Sequence, residues 1–160
     1  MKNKIKQFFY RTVVQPLLNF LKQGLTPEKL TLCIALGVTL GTFPVLGSTT
    51  LLCTAVAFAL RLNMPAILLV NYFAYPLQLL LFIPFIRAGE YLFHQTPVPL
   101  DLAQIFSMLQ TDMFGTIKSL WWTNMRAIVA WFFFALPTGI ALFYTLTPVF
   151  SRFVANNENK

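Results

Sequence analysis

Residues 30–60 read LTLCIALGVTLGTFPVLGSTTLLCTAVAFAL and contain no charged residue. A straight helix of this length would measure about 46 Å, whereas the hydrocarbon core of a bilayer is about 30 Å thick. The segment FPVLGS at residues 43–48 interrupts the run with a proline and a glycine. Each half, 31–42 and 49–60, would reach about 18 Å, which is too short to cross. The pattern predicts a re-entrant or broken helical hairpin.

The composition is typical of a membrane protein. Of the 160 residues, 57% are hydrophobic and 11% are charged, and the mean hydropathy is +0.66. A soluble domain has about 45–50% apolar and about 25% charged residues. Two further charge-free runs, 62–86 and 127–151, are each long enough to cross a bilayer. We therefore predict an all-α integral membrane fold.

The basic residues indicate topology. The net charge is +7, and six basic residues precede the first apolar run, where cytoplasmic flanks carry positive charge. They do not form a groove-sized patch with interleaved aromatic residues, so nucleic acid is not an expected partner. Charge counting alone gives the same result whether residues 30–60 re-enter or cross as one kinked span. The shortness of the two halves favours the hairpin, which places both termini in the cytoplasm and residues 87–126 outside.

The first 22 residues predict a surface helix. Apolar side chains recur at three- and four-residue spacing over residues 4–22, with basic and amide side chains mostly elsewhere around the turn. This pattern predicts a basic amphipathic helix on the cytoplasmic membrane surface, bent or divided at Pro16.

Two long helices follow the hairpin. Asn63 is a predicted N-cap and Pro65 fits the first turn of a helix over residues 64–86, with a kink expected near Pro76. Asp101 and Gln104 fit a capping box that opens an interfacial helix. The last helix, residues 127–151, is expected to kink near Pro137.

The predicted organisation has five parts. They are a basic amphipathic segment (1–29), a core with the broken helix and kinked span (30–93), an external interfacial segment (94–126), the last transmembrane helix (127–151) and a cytoplasmic tail (152–160).

An ordered set of glycines, prolines and one connector carries a family resemblance: Gly37, Gly41, Phe43, Pro44, Gly47, then Leu60, Arg61, Leu62, Asn63, Pro65, then Tyr75, Pro76 and Gly89. The set resembles a bacterial membrane-protein family known as domain of unknown function 2062, over residues 27–93. Many members carry an asparagine before the second conserved proline and a threonine two residues after it, where this chain has Tyr75 and Gln78. The resemblance implies a small bacterial inner-membrane protein, sometimes fused to or encoded beside glycosyltransferases, with no established activity.

The restart of the helix after the break is the predicted ligand site. The first amides of a helix are unpaired and its dipole places partial positive charge there, so a restart inside the membrane attracts an anion. The candidate ligand-binding residues are Gly47, Ser48, Thr49, Thr50, Arg61, Asn71, Gln78 and Arg87. The alternative is that Ser48 and Thr50 only cap their own helix.

Two functions remain open at this point. One is binding or translocation of an anionic lipid or lipid-linked phosphate by a multi-pass protein of the bacterial inner membrane, acting as a homo-oligomer among membrane lipids. The alternative is a non-catalytic membrane partner or scaffold for an envelope glycosyltransferase-type enzyme. Arg87, Glu90 and His94 share one helical face, but an exposed salt bridge explains them better than catalysis. No catalytic residue, metal or cofactor is predicted.

Overall fold

The structure, a computed structural model, describes residue 15, residues 25–99 and residues 101–158. These residues form five helices and no strand, in agreement with the all-α prediction. The helices are α1 (Pro27–Gly41), α2 (Thr49–Ala59), α3 (Met64–Leu92), α4 (Leu102–Thr111) and α5 (Met113–Glu158). The predicted amphipathic helix over residues 4–22 lies, apart from residue 15, outside the described residues.

The interruption of the first apolar run lies where the sequence predicts it. Helix α1 ends at Gly41 and α2 begins at Thr49, and the seven residues between them (42–48) form what we call the break. Gly47 has φ +83°, a left-handed conformation that glycine adopts without steric cost. The broken helix is thus confirmed, whereas its re-entry into a membrane stays a prediction.

Helix α1 runs parallel to α3, because Gly37 lies against Val70 and Gly41 lies against Ala74. A β-carbon on Gly41 would come within 2.6 Å of the Ala74 β-carbon, so glycine permits this close approach. Helix α2 runs antiparallel to both. Its first turn is beside Asn71, and its last residues lead directly into the start of α3.

Helix α3 begins as predicted and runs without interruption through Pro76 and Pro84. The Asn63 side chain accepts a hydrogen bond from the amide of Ala66 at 2.9 Å, and Pro65 lies in the first turn. These contacts confirm the predicted N-cap. The kink expected near Pro76 remains a prediction.

Helix α5 is much longer than the predicted span. It begins at Met113 rather than at residue 127 and includes 46 residues. Arg126 ends the apolar run, and Lys118 lies in the mixed segment before it. Lysine and arginine are good helix formers, so neither residue stops the helix. Asp112 starts α5 by accepting a hydrogen bond from the Gly115 amide at 2.9 Å. The short α4 is capped by Asp101, which accepts from the Ala103 amide at 3.2 Å.

Helices α1, α3 and α5 pack together as the centre of the fold. Helices α3 and α5 approach closely at Gly89, where a β-carbon would lie 2.6 Å from the backbone carbonyl carbon of Arg126. Residues 64–92 and 113–152 are long and apolar enough to cross a membrane. Only 33% and 11% of their most apolar windows are buried in the chain, unlike the core helix of a soluble protein.

Candidate functional site

Asn71 lies where the end of α1 and the start of α2 meet. Its side chain is buried, at 5% exposure, and Nδ2 donates to the Thr50 hydroxyl at 3.4 Å. Its Oδ1 has no hydrogen-bond partner among the described residues. A β-carbon on Gly41 would approach this oxygen to 3.2 Å. The Asn71 side chain therefore bonds α2 on one side of the break and packs against α1 on the other, and its Oδ1 is an unused acceptor.

Gln78 holds the same break two turns further along α3. Its side chain is only 1% exposed, and Nε2 donates to the backbone carbonyl of Phe43 at 2.8 Å. Because a carbonyl can only accept, this contact fixes the nitrogen and identifies the other atom as oxygen. That oxygen, Oε1, has no partner in the described part of the chain. Gln78, where the sequence departs from the pattern of the family resemblance, thus has a structural contact of its own.

The first turn of α2 presents unpaired amides. Ser48 does not cap this helix, since its hydroxyl donates backwards to the carbonyl of Val45 at 2.8 Å. The first amide of the helix to find a partner is that of Leu52, which donates to Ser48 O at 3.0 Å. Within residues 25–99 and 101–158, the amides at 49, 50 and 51 have no acceptor. Ser48 therefore does not satisfy the unpaired amides of α2.

The two candidate arginines do not join this group. Arg61 lies beyond the opposite end of α2, whose last residue, Ala59, is about 15 Å from Thr49 along the helix axis. Arg87 follows Gln78 along α3 by about 14 Å. The structure therefore brings together Thr49, Thr50, Asn71 and Gln78 around the break, with Gly47 and Ser48 inside it, and places both arginines elsewhere.

Arg87 belongs to a separate charged corner at the end of α3. Its Nη1 pairs with Glu90 Oε2 at 2.7 Å, and the Glu90 side chain is 3% exposed. Glu90 Oε1 also accepts from the amide of Val98 at 2.7 Å, and Arg87 donates to the Val98 carbonyl at 3.3 Å. The Arg87–Glu90 pair is present as the sequence predicts, but Glu90 is buried rather than exposed, because it also bonds the connector after α3 and fixes it.

His94 takes a backbone role at this corner. It has φ 50°, and the next residue, Gln95, donates its amide to the Glu90 carbonyl at 2.9 Å. Together these features form a Schellman motif that ends α3. Arg61, with φ 51°, ends α2 in the same way, because Leu62 donates to the Ala57 carbonyl at 2.8 Å. Among the described residues no cluster of histidine, cysteine or carboxylate groups could hold a metal.

An apolar cleft of about 410 Å³ lies between α1 and α5. Such a volume falls within the range of about 300–1,000 Å³ for ligand pockets. At one end Trp131 donates its indole N–H to the Thr39 carbonyl at 3.2 Å and lies 3.4 Å from the Thr42 hydroxyl. Sequence reasoning missed this cleft. The available signal is the pair of small residues Ala135 and Gly139, four apart on the face of α5 that lines it.

Residues 10–159 match the family called domain of unknown function 2062, described as an uncharacterized protein conserved in bacteria. The chain belongs to this family, and the match extends on both sides of the residues that carry the resemblance in the sequence. No curated protein and no solved structure matches the chain.

Proposed function

We propose that this protein is an integral protein of the bacterial inner membrane that binds the polar part of an anionic lipid or lipid-linked phosphate at the break. The observation that carries the proposal is the set of unpaired amides in the first turn of α2, next to the buried and half-used side chain of Asn71. Unpaired backbone donors at membrane depth are costly. A ligand oxygen would satisfy them.

The position of the break along α3 supports a location inside the hydrocarbon core. Arg61 precedes α3, and Arg87 lies near the end of α3, about 35 Å from Met64 along the helix, with no charged residue between the two arginines. Gln78, which contacts the break, is about 21 Å from Met64 and about 14 Å from Arg87. If the two arginines lie near the two membrane surfaces, the break lies well inside the hydrocarbon core of about 30 Å.

The hydrogen-bonding groups at the break define the chemistry of the ligand. The amides of α2 donate and suit phosphate oxygens, and the positive end of the helix dipole adds to this preference. Asn71 Oδ1 only accepts, so it suits a hydroxyl group. A phosphate that carries a hydroxylated group, as in phosphatidylglycerol or a lipid-linked sugar phosphate, offers both.

The apolar part of the same ligand has a place in the cleft between α1 and α5. The cleft reaches Thr39 and Trp131, and Trp131 lies 3.4 Å from the hydroxyl of Thr42, the first residue of the break. A lipid with its headgroup at the break would thus have its chain beside α1. Because α1 and α2 form a hairpin that returns to its own side of the membrane, both termini are cytoplasmic. A homo-oligomer would shield the polar part of the ligand from lipid on the open side of the cleft.

The experiment compares two threonines on the same face of α2. We expect Thr50→Val to reduce the amount of phosphatidylglycerol that copurifies with the gently extracted protein, because Asn71 loses its partner beside the unpaired amides. Thr54→Val, one turn further along α2, is the matched control. Native mass spectrometry counts bound lipid and subunits in one measurement.

Equal lipid retention in Thr50→Val, Thr54→Val and the wild-type chain, at equal abundance in the membrane, would exclude the break as the site. Arg61→Ala tests whether that arginine contributes. Because Arg61 lies at the far end of α2, we expect it to retain lipid as the control does. A stoichiometric enzyme in the purified sample, with no bound lipid, would favour the scaffold function instead.

A further inference from the structure

A second hollow, of about 290 Å³, lies at the end of the molecule that carries Arg87. One wall is the connector after α3, with Gln95, Thr96 and Val98, and the other is the first four turns of α5. The α5 residues in this wall are Gly115, Lys118, Ser119, Trp122 and Arg126. They recur at helical spacing, so they form one continuous face.

The lining of this hollow is cationic. It contains two basic side chains, Lys118 and Arg126, and no carboxylate. In the described part of the chain the only salt bridge is that between Arg87 and Glu90, so Lys118 and Arg126 have no carboxylate partner there. Asp112, the nearest carboxylate on α5, caps the helix by accepting from the Gly115 amide.

The connector wall is held in place by the charged corner. The backbone amide and carbonyl of Val98 are bonded to Glu90 and Arg87, respectively. Because Glu90 is buried and both of its oxygens are used, the connector is fixed to α3 independently of any ligand. The second wall is fixed by the close contact of Gly89 with the Arg126 backbone. The hollow is therefore preformed.

We propose that this hollow binds a phosphate group through Lys118 and Arg126, with hydroxyl or amide donors from Ser119, Thr96 and Gln95. Charge-assisted hydrogen bonds from lysine and arginine are the strongest protein contacts to phosphate, and arginine can bond two oxygens at once. The exposed ring of Trp122 lies beside them and suits the boundary between water and lipid. The phosphate belongs either to a lipid headgroup or to a soluble ester.

This site is separate from the break. Gln78, at the break, lies about 17 Å from Gly89 along α3, and Gly89 is the residue that contacts Arg126. The two sites have different chemistry, because one offers neutral amides and the other offers full charges. Either proposal can therefore fail while the other holds.

The test uses two double variants of the full chain with the same loss of charge. Lys118→Ala with Arg126→Ala removes both cations of the hollow. Lys29→Ala with Arg152→Ala removes two exposed cations at the opposite end of the molecule and is the matched control. Each protein is placed in nanodiscs of phosphatidylcholine with or without phosphatidylglycerol, and separately titrated with inorganic phosphate in detergent.

We expect the hollow variant to bind phosphatidylglycerol or inorganic phosphate at least tenfold more weakly than the control, since removing a charged hydrogen bond costs about a factor of ten or more. Ser119→Ala, which changes no charge, should weaken binding about threefold. It provides a second measure if the double variant is poorly folded.

A tenfold loss seen with phosphatidylglycerol assigns the hollow to a lipid headgroup, whereas a loss seen only with inorganic phosphate assigns it to a soluble ester. If the hollow variant, the control and Ser119→Ala bind both probes equally, the proposal is wrong. Thr50→Val should leave the binding of inorganic phosphate unchanged. Loss of phosphatidylglycerol in Thr50→Val, with no loss of either probe in the hollow variant, would support the break and overturn the hollow.

Discussion

Buried polar side chains of α3 bond two irregular regions, but with different chemistry. One region is the break between α1 and α2, and the other is the charged corner at residues 87–98. At the break, Asn71 and Gln78 use neutral amides. At the corner, Glu90 uses a full charge, paired with Arg87 and with the amide of Val98. The two regions are about 14 Å apart along α3, measured from Gln78 to Arg87.

In the membrane placement that we propose, depth explains this difference. A charged side chain at the bilayer centre costs at least about 2.5–3.5 kcal/mol, whereas an amide that finds one partner costs much less. Neutral amides can therefore fix irregular backbone in the hydrocarbon core, and charges can do so only near its surface. Asn71 Oδ1 and Gln78 Oε1 remain unpaired, while both oxygens of Glu90 are bonded. The side chains that hold the break therefore keep unpaired acceptors, whereas Glu90 at the corner keeps none.

The largest expected effect is on the packing beneath the corner. In Gly89→Ala the new β-carbon would lie within 2.8 Å of three backbone atoms of Arg126 and Ala127, which cannot move independently. We expect a loss of about 3 kcal/mol in the free energy of unfolding, the upper part of the range for overpacked sites. Reversible unfolding in mixed micelles measures it.

Gly47→Ala is the matched control at the break. Its β-carbon would meet nothing within 4 Å, so only the strain of φ +83° remains, at about 1 kcal/mol. A loss in Gly89→Ala no greater than in Gly47→Ala would contradict the close approach of α3 and α5.

The next effect concerns the charge itself. Glu90→Ala leaves the Val98 amide without its acceptor and Arg87 without its partner, and we expect a loss of about 2 kcal/mol in the free energy of unfolding. Arg87 is 43% exposed, so water replaces part of its contact. Hydrogen exchange should show faster exchange at the Val98 amide.

Exchange at the break should be unaffected by Glu90→Ala. Asp101→Ala, which removes another carboxylate at a backbone amide but on the exposed start of α4, is the control and should cost less. Faster exchange across residues 42–50 in Glu90→Ala would mean that the two regions are not independent.

The sequence predicts the backbone of the break well and its contacts poorly. Composition and the FPVLGS interruption predict two helices separated at residues 43–48, and the structure has non-helical residues at 42–48. Local rules also predict the Asn63 cap. These features depend on residues close together in the chain, where propensity and capping act.

Contacts between distant residues set the rest. Nothing local shows that Gln78 reaches the Phe43 carbonyl, or that Ser48 donates backwards instead of capping α2. The hollow is not predicted from the sequence, because Lys118 lies in a segment of mixed charge and Arg126 marks only the end of an apolar run. They form one face only because α5 continues through them.

A smaller effect is expected at Gln78. In Gln78→Leu the Phe43 carbonyl loses its donor, but the unpaired Oε1 is removed as well. The two terms partly cancel, so we expect a net loss of about 1 kcal/mol in the free energy of unfolding, half of that for Glu90→Ala. A loss larger than that for Glu90→Ala would mean that the neutral hydrogen bond of Gln78 stabilises the fold more than the charged contacts of Glu90 do.

The smallest effect is a gain in stability, and it compares the ends of α2 and α3 directly. Arg61 and His94 both adopt left-handed backbone conformations, with φ 51° and φ 50°, in the same Schellman motif. Glycine adopts this conformation without the steric cost of a β-carbon, so Arg61→Gly and His94→Gly should each raise the free energy of unfolding by about 0.5–1 kcal/mol. Gains of equal size mean that both side chains are dispensable for the fold. If His94→Gly instead destabilises the protein while Arg61→Gly stabilises it, the imidazole has a contact at the charged corner that the backbone motif does not explain.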